Sequence, residues 1–178
     1  MIEKKKILLL TTGGTIASMP GGEGLEPHRS DVMERELEQL RTYYDITVRD
    51  VMCLDSSNIR PEEWQTLACS IFEYRTGFDG IVVSHGTDTM AYTASAVTFM
   101  LPNIDRPVVF TGSQLPLADV LSDGPDNLRT AFAMAASLFT GTFEIWAIPA
   151  IFVFALLIYL LVRPNRYANK DLGSNEPN

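Results

Sequence analysis

Short apolar runs separated by helix-like segments dominate the first 110 residues of the chain. Residues 7–10 and 81–83 are continuously apolar, which is typical of strands whose two faces are both buried. Residues 44–52 and 107–110 complete a set of four predicted strands. Because these strands alternate with helical patterns, we predict an α/β fold, a Rossmann-like parallel sheet with helices on both faces.

Three amphipathic helices are predicted between these strands. Met33, Leu37 and Leu40 are spaced four and three residues apart, and Ser30 or Asp31 is positioned to cap this helix. Pro61 opens a second helix, whose apolar face comprises Trp64, Leu67, Ala68, Ile71 and Phe72. The third helix has apolar positions at Met90, Ala94, Val97 and Leu101. Residues 18–29, rich in glycine and polar side chains, are predicted to form a long loop.

The C-terminal part of the chain has a different pattern. Residues 145–162 form an 18-residue apolar run, interrupted in character only by Pro149, which meets the lower bound for a membrane-spanning helix. The alternative is a further strand over 143–148 followed by a short apolar helix over 150–162. A frameshifted coding end would produce the same pattern. We therefore expect an α/β domain over 1–142 and an apolar segment with a polar tail over 143–178.

Composition excludes several classes of function. The net charge of −8 repels phosphate backbones, so we expect no nucleic-acid partner. The two cysteines, Cys53 and Cys69, form no C-x-x-C pair and lie near no histidine cluster, which argues against a disulfide scaffold or a metal site. We expect them to be buried, reduced thiols. The four apolar residues after the N-terminal lysines are too few for a secretory signal.

Polar segments follow the predicted strands, at the edge where α/β sheets bind ligands. Residues 12–15 read Thr-Gly-Gly-Thr, which lets the backbone approach a ligand closely. A turn with a capping threonine explains the same letters. Asp88 lies between Thr87 and Thr89, a combination suited to binding an ammonium group, although an aspartate before a helix is more often an N-cap. His85 is a candidate general base or, more commonly, a hydrogen-bonded structural residue; His28 is a weaker candidate.

Taken together, four segments resemble the bacterial L-asparaginase family. They are TGGTIA at 12–17, DSS at 55–57, HGTDTM at 85–90 and TGS at 111–113. The similarity is closest to the cytoplasmic, type I branch and extends from residue 5 to residue 137, including SDGPDNL at 122–128. Two six-residue motifs in the right order argue against chance similarity.

The resemblance implies a threonine amidohydrolase that converts L-asparagine and water to L-aspartate and ammonia through an acyl-enzyme, without a metal or cofactor. It implies that Thr15 is the nucleophile and that Thr87 and Asp88 bind the substrate and support the second half-reaction. It places Ser56, with its neighbour Ser57, at the substrate α-carboxylate. It also implies a cytoplasmic, homo-oligomeric protein.

The chain departs from the family pattern in two places. The lid position of the family, an aromatic or hydroxyl residue, reads Gly24-Leu25-Glu26 here. The segment that carries the family's catalytic lysine is replaced by the run at 145–162, and Lys170 lies in no matching motif. The smaller C-terminal domain of the family is also missing, so we expect weak or no activity from the isolated chain.

Two alternatives stay open. One is a non-catalytic amino-acid-binding or membrane-tethered module. The other is the ammonia-supplying subunit of a glutamyl-tRNA amidotransferase, which shares the two threonine motifs but has an extra N-terminal domain with no counterpart here.

Overall fold

The computed structural model describes residues 3–21, 24–27 and 30–137. Its strands are β1 (Lys6–Gly13), β2 (Ser18–Gly21), β3 (Gly24–Pro27), β4 (Asp45–Leu54), β5 (Gly80–Ser84) and β6 (Val108–Thr111). Its helices are α1 (Glu34–Leu40), α2 (Pro61–Tyr74), α3 (Met90–Met100) and α4 (Gly124–Ala136).

Four strands form one parallel sheet in the order β4-β1-β5-β6, which confirms the predicted α/β class. The chain adds β4 on one side of β1 and then β5 on the other, so the strand order reverses between β1 and β5. In open α/β sheets such a reversal creates the crevice in which ligands bind.

The continuous apolar runs are explained by burial on both faces. Ile7 and Leu9 point to a core with side chains of α1 and α4, whereas Leu8 and Leu10 point to a second core with side chains of α2 and α3. These four residues of β1 are fully buried. This arrangement explains why β1 shows no alternation of apolar and polar positions.

The first helix begins later along the chain than a cap at Ser30 or Asp31 would require. Ser30–Met33 forms a 3-10 turn, and the N-cap of α1 is Met33, which makes no side-chain cap hydrogen bond. The predicted cap by Ser30 or Asp31 is therefore wrong, because the chain tightens into this turn before the α-helix starts. Met33, Leu37 and Leu40 are buried, as their spacing predicted.

The predicted long loop over 18–29 is also wrong, because β2 and β3 pair as an antiparallel ladder from Ser18 opposite Pro27 to Gly21 opposite Gly24. Glycine and proline suggested a loop, but both are tolerated in short peripheral strands.

The cysteines were likewise predicted incorrectly, since both are exposed. Cys69 lies on α2, whose buried positions are Leu67, Ala68 and Ile71, and Cys53 lies on β4, at one edge of the sheet.

Several predictions fall outside the described residues. They concern the apolar run at 145–162, the strand or short helix proposed within 143–162, Lys170 and His28. Within the described ranges, no helix is long and apolar enough to cross a membrane. The same residues contain no group of histidine, cysteine and acidic side chains arranged to hold a metal ion.

Candidate functional site at the carboxyl edge of the sheet

The candidate site is built from the four loops that follow the parallel strands. Since β1, β4, β5 and β6 run in one direction, these loops all lie at the carboxyl edge of the sheet. Thr11 at the end of β1 pairs with Ser84 at the end of β5, so the loops that carry Thr15 and Thr87 start side by side.

The loops after β1 and β5 are in backbone contact. Gly14 has φ +81°, and a β-carbon added there would lie 2.6 Å from the Cα atom of Gly86. The Ser18 Oγ donates to the Gly14 carbonyl at 2.9 Å, and the Gly14 N–H donates to the Leu54 carbonyl at 3.2 Å. Only glycine fits this position, which brings the turn that carries half-buried Thr15 against the β5 loop.

Thr12 strengthens the same junction. Its hydroxyl donates to the Ser84 carbonyl of β5 at 2.9 Å, and both residues are buried. The interpretation of this segment as a turn capped by its own threonine is therefore wrong for Thr12, because its hydroxyl joins two strands.

The loop after β4 also contributes to the candidate site. The Asp55 side chain accepts from the Ser57 N–H at 2.9 Å and fixes a 3-10 turn over Ser56–Asn58. Ser56 is 6% exposed, and a β-carbon on Gly86 would lie 2.6 Å from the Ser56 Cβ. The Ser57 Oγ donates to Asp88 Oδ2 at 3.0 Å, which connects the β4 loop to the β5 loop.

Asp88 is not a helix cap. The N-cap of α3 is Thr89, and the exposed Asp88 carboxylate accepts its hydrogen bond from Ser57 instead. The capping interpretation of Asp88 is therefore wrong, because the helix starts one residue later than that interpretation requires. Its carboxylate is available at the surface of the site to meet a cationic group.

His85 is buried and hydrogen-bonded. Its side chain contacts the Gly86 carbonyl through Nδ1 at 2.7 Å, which requires a proton on Nδ1, and the residue is 1% exposed. Burial lowers the pKa of His85 below 6.5, although the bond to Gly86 opposes this change. Nε2 has no hydrogen-bond partner among the residues that the structure describes. These features fit a structural residue better than a general base.

The loop after β6 closes the other side of Thr87. A β-carbon on Gly112 would overlap the His85 carbonyl oxygen and lie 3.4 Å from the Thr87 Cγ2. The Asn127 side chain at the start of α4 donates to the Gly112 carbonyl at 2.9 Å and to Asp123 Oδ2 at 2.8 Å. The start of α4 therefore supports the backbone against which Thr87 packs.

Asp123 anchors the same loop. Its carboxylate accepts from the backbone N–H groups of Gln114 and Leu115 at 3.0 and 3.2 Å. Partial desolvation raises the pKa of Asp123, but backbone N–H donors and the Asn127 amide together hold it below its usual range. Sequence reasoning assigned no role to Asp123 or Asn127. Their four-residue spacing at the start of a helix was the signal available in the segment at 122–128.

Lysine is the residue type that the site lacks within the described ranges. The lysines there are Lys4, Lys5 and Lys6, which lie where β1 begins. At about 3.3 Å per residue, the length of β1 separates Lys6 from the glycine turn by roughly 20 Å. The described residues therefore supply hydroxyls, carboxylates and backbone N–H groups to the carboxyl edge, but no ammonium group.

Comparison with protein-family models matches residues 6–143 to the family described as Asparaginase, N-terminal. The L-asparaginase of Thermococcus kodakarensis is 44% identical over 140 residues, which cover 78% of this chain and 43% of that protein. L-asparaginase 1 of Escherichia coli K12 is 43% identical over 142 residues, covering 76% of this chain and 42% of the relative. A glutamyl-tRNA(Gln) amidotransferase subunit of Thermoplasma volcanium is 38% identical over 136 residues, covering 75% and 34%.

Solved structures give the same result. The thermostable L-asparaginase of Thermococcus kodakarensis superposes with a TM-score of 0.70 at 45% identity, covering 76% of this chain and 42% of that one. A probable cytoplasmic L-asparaginase of Campylobacter jejuni gives 0.65 at 36% identity, covering 76% and 41%. The chain thus spans less than half the length of each relative and structure named here.

Proposed function

This chain belongs to the asparaginase family through residues 6–143, and we propose that the protein hydrolyses L-asparagine to L-aspartate and ammonia. The observation that carries the proposal is the backbone contact between Gly14 and Gly86. At the carboxyl edge of the sheet it brings the loops that carry Thr15 and Thr87 against each other, as a single small-molecule site requires.

In the proposed mechanism, Thr15 is the nucleophile. Its Oγ1 attacks the side-chain amide carbon of asparagine, its proton passes to the leaving nitrogen by way of a base, and ammonia departs from a tetrahedral intermediate. Backbone N–H groups in the glycine turn would stabilise the oxyanion, and water would then cleave the threonyl ester. This role is supported by the half-buried position of Thr15 after two glycines with positive φ.

Binding of the amino acid is assigned to the other two loops. We propose that the Asp88 carboxylate pairs with the substrate ammonium group and that Ser56 and Ser57 bind its α-carboxylate. Thr87, with Asp88, supports attack of water in the second half-reaction. The Ser57–Asp88 hydrogen bond supports this assignment, because it holds the two binding groups 3.0 Å apart.

The described residues supply no lysine to the site, so we propose that the 178-residue chain turns over slowly, well below the typical enzyme median of about 10 per second. Ammonia release from L-asparagine tests this, with Thr15→Val and Thr87→Val as site variants. Thr98→Val is the matched control, since the Thr98 hydroxyl donates to the Ala94 carbonyl within α3 and to no other group among the described residues.

We expect Thr15→Val to abolish the residual ammonia release, because no acyl-enzyme can form without the nucleophile. Thr87→Val should reduce it less than it would in a complete catalytic unit, because losses within one unit are not additive. The control should retain wild-type release. Equal release from Thr15→Val and the control would contradict the assignment of the nucleophile, and turnover near about 10 per second in the wild type would contradict slow catalysis.

The amidotransferase alternative is supported by the 38% identity to the Thermoplasma volcanium protein. Ammonia release from glutamine that exceeds release from asparagine would favour it. Calorimetric binding of asparagine without hydrolysis would favour a non-catalytic binding module instead.

Cellular location and assembly form a separate proposal. We propose a cytoplasmic homo-oligomer, by analogy with the Campylobacter jejuni relative and with the family. The possible membrane tether over 145–162 lies outside the described residues. Detergent-phase partition of the full chain, compared with a chain lacking 145–162, tests it independently of catalysis.

A further inference from the structure

We propose that Thr89 is a positioning residue that fixes the Ser56 turn for substrate binding. The Thr89 Oγ1 donates to the Ser56 carbonyl at 2.8 Å across 33 residues of sequence. This inference rests on the proposed function, because Ser56 is assigned there to the substrate carboxylate.

The position of Thr89 makes this hydrogen bond informative. Thr89 is the N-cap of α3, where a threonine hydroxyl ordinarily accepts a hydrogen bond from an N–H group in the first helical turn. Thr89 makes no such cap bond. Its hydroxyl is oriented toward another loop, and α3 begins without the stabilisation that its own N-cap residue is suited to provide.

The Ser56 carbonyl is held from two sides. It accepts the Ile59 N–H at 3.2 Å within its own turn and the Thr89 hydroxyl from the neighbouring loop. The Ser56 side chain packs against Gly86, at the position that a β-carbon there would occupy. The Thr89 bond therefore helps to fix how the turn sits relative to the β5 loop, beside the packing of Ser56 against Gly86.

A second connection joins the same loops but is suited to a different task. The Ser57–Asp88 bond is exposed, and both of its members are assigned to the substrate. A bound amino acid would compete for these groups. The partly buried Thr89–Ser56 bond uses neither, so it can hold the two loops together while the substrate engages Ser57 and Asp88.

Two substitutions separate the hydroxyl from the shape of the side chain. Thr89→Val keeps the volume but loses the donor, and Thr89→Ser keeps the donor. Thr98→Val is the matched control, because it removes a hydroxyl-to-carbonyl bond of 2.7 Å on the same helix. The full chain is studied by calorimetry with L-aspartate and, without ligand, by amide hydrogen exchange at Ile59. Thermal unfolding verifies that each variant folds.

We expect Thr89→Val to bind L-aspartate about 3- to 10-fold more weakly, as the loss of one hydrogen bond implies, and to exchange the Ile59 amide faster. Thr89→Ser and Thr98→Val should resemble the wild type in both measurements. Unchanged Ile59 exchange in Thr89→Val would overturn the proposal whether or not the ligand binds. Equal weakening by Thr98→Val would also overturn it, whereas absence of aspartate binding to the wild type would contradict the proposed function instead.

Discussion

The two edges of the parallel sheet differ in what their residues do. The amino edge has an open cavity of about 410 Å³, lined by Glu3, Lys4, Lys6, Arg41, Tyr44, Asp45 and Ile46. The carboxyl edge has closely packed loop backbones and buried polar residues, among them Ser56, His85 and Ser113. A concave surface alone therefore does not identify the candidate site in this chain. Ordered polar groups held by close backbone contacts identify it better.

The charges at the amino edge are largely solvated. Lys5 and Asp79 form an ion pair at 3.5 Å, and their side chains are 41% and 42% exposed. Such pairs contribute little because water screens them. Several hydroxyls at the carboxyl edge, among them those of Thr12 and Thr89, are at least partly removed from water and bonded to specific partners in other segments, so changes there should have larger effects.

The largest expected effect concerns glycines at the two edges. Gly14→Ala should lower the free energy of unfolding by about 3 kcal/mol, because alanine is strained at φ +81° and its Cβ would overlap Gly86. Gly77→Ala, just before β5 at the amino edge, should change it by less than about 0.5 kcal/mol, since among the described residues no atom beyond its chain neighbours lies within 4 Å of the added Cβ. Urea unfolding measures both, and similar losses would remove the distinction between the edges.

An intermediate effect on the free energy of unfolding is expected from the titration of His85. Because burial lowers its pKa in the folded protein below 6.5, the unfolded chain binds more protons in this range, and the free energy of unfolding should fall as the pH drops below 6.5. His85→Asn does not titrate. The wild type should therefore lose up to about 1.4 kcal/mol per pH unit more than this variant. If the free energies of unfolding of the wild type and His85→Asn changed in parallel between pH 7.5 and 5.5, His85 would not be the source of the pH dependence.

The smallest effect on the free energy of unfolding is expected from Asp79, at the amino edge of the sheet. The Lys6 N–H, aided by Lys5, holds the pKa of Asp79 below 3.8, so its charge stabilises the fold above that pH and this contribution disappears as the pH falls through the lowered pKa. Asp79→Asn at neutral pH should cost less than about 1 kcal/mol, since the side chain is well exposed. It should not change L-aspartate affinity. A clear loss of affinity would link the amino edge to the site.

Much of the sheet could be predicted because its signals are local. The uninterrupted run at 7–10 indicated a strand buried on both faces, and Leu67, Ala68 and Ile71 are buried on α2 as their spacing predicted. Phe72 of the same predicted face is instead 54% exposed. The hairpin of β2 and β3 could not be predicted in this way, because antiparallel pairing between glycine- and proline-containing segments leaves no periodic pattern.

The site could be predicted in part. Its loops follow strands, so the motifs that contain Thr15 and Thr87 could be assigned to one edge from the sequence. The tertiary hydrogen bonds of the site could not be predicted from the sequence. They orient the side chains of Asp88, Thr89 and Asn127. For Asp88 the local pattern favoured a helix cap, while its partner lies in another loop. For Thr89 and Asn127 the sequence alone predicted no role.

We propose that the loops after β1 and β5 form one site for a small amino acid. Titration of the isotopically labelled full chain with L-aspartate, followed by backbone NMR shifts, tests it most directly. We expect the amides of Gly14, Thr15, Thr87 and Asp88 to shift together with a single dissociation constant, while those of Lys6 and Arg41 stay unchanged. Shifts confined to one loop, or shifts at the amino edge instead, would contradict the account.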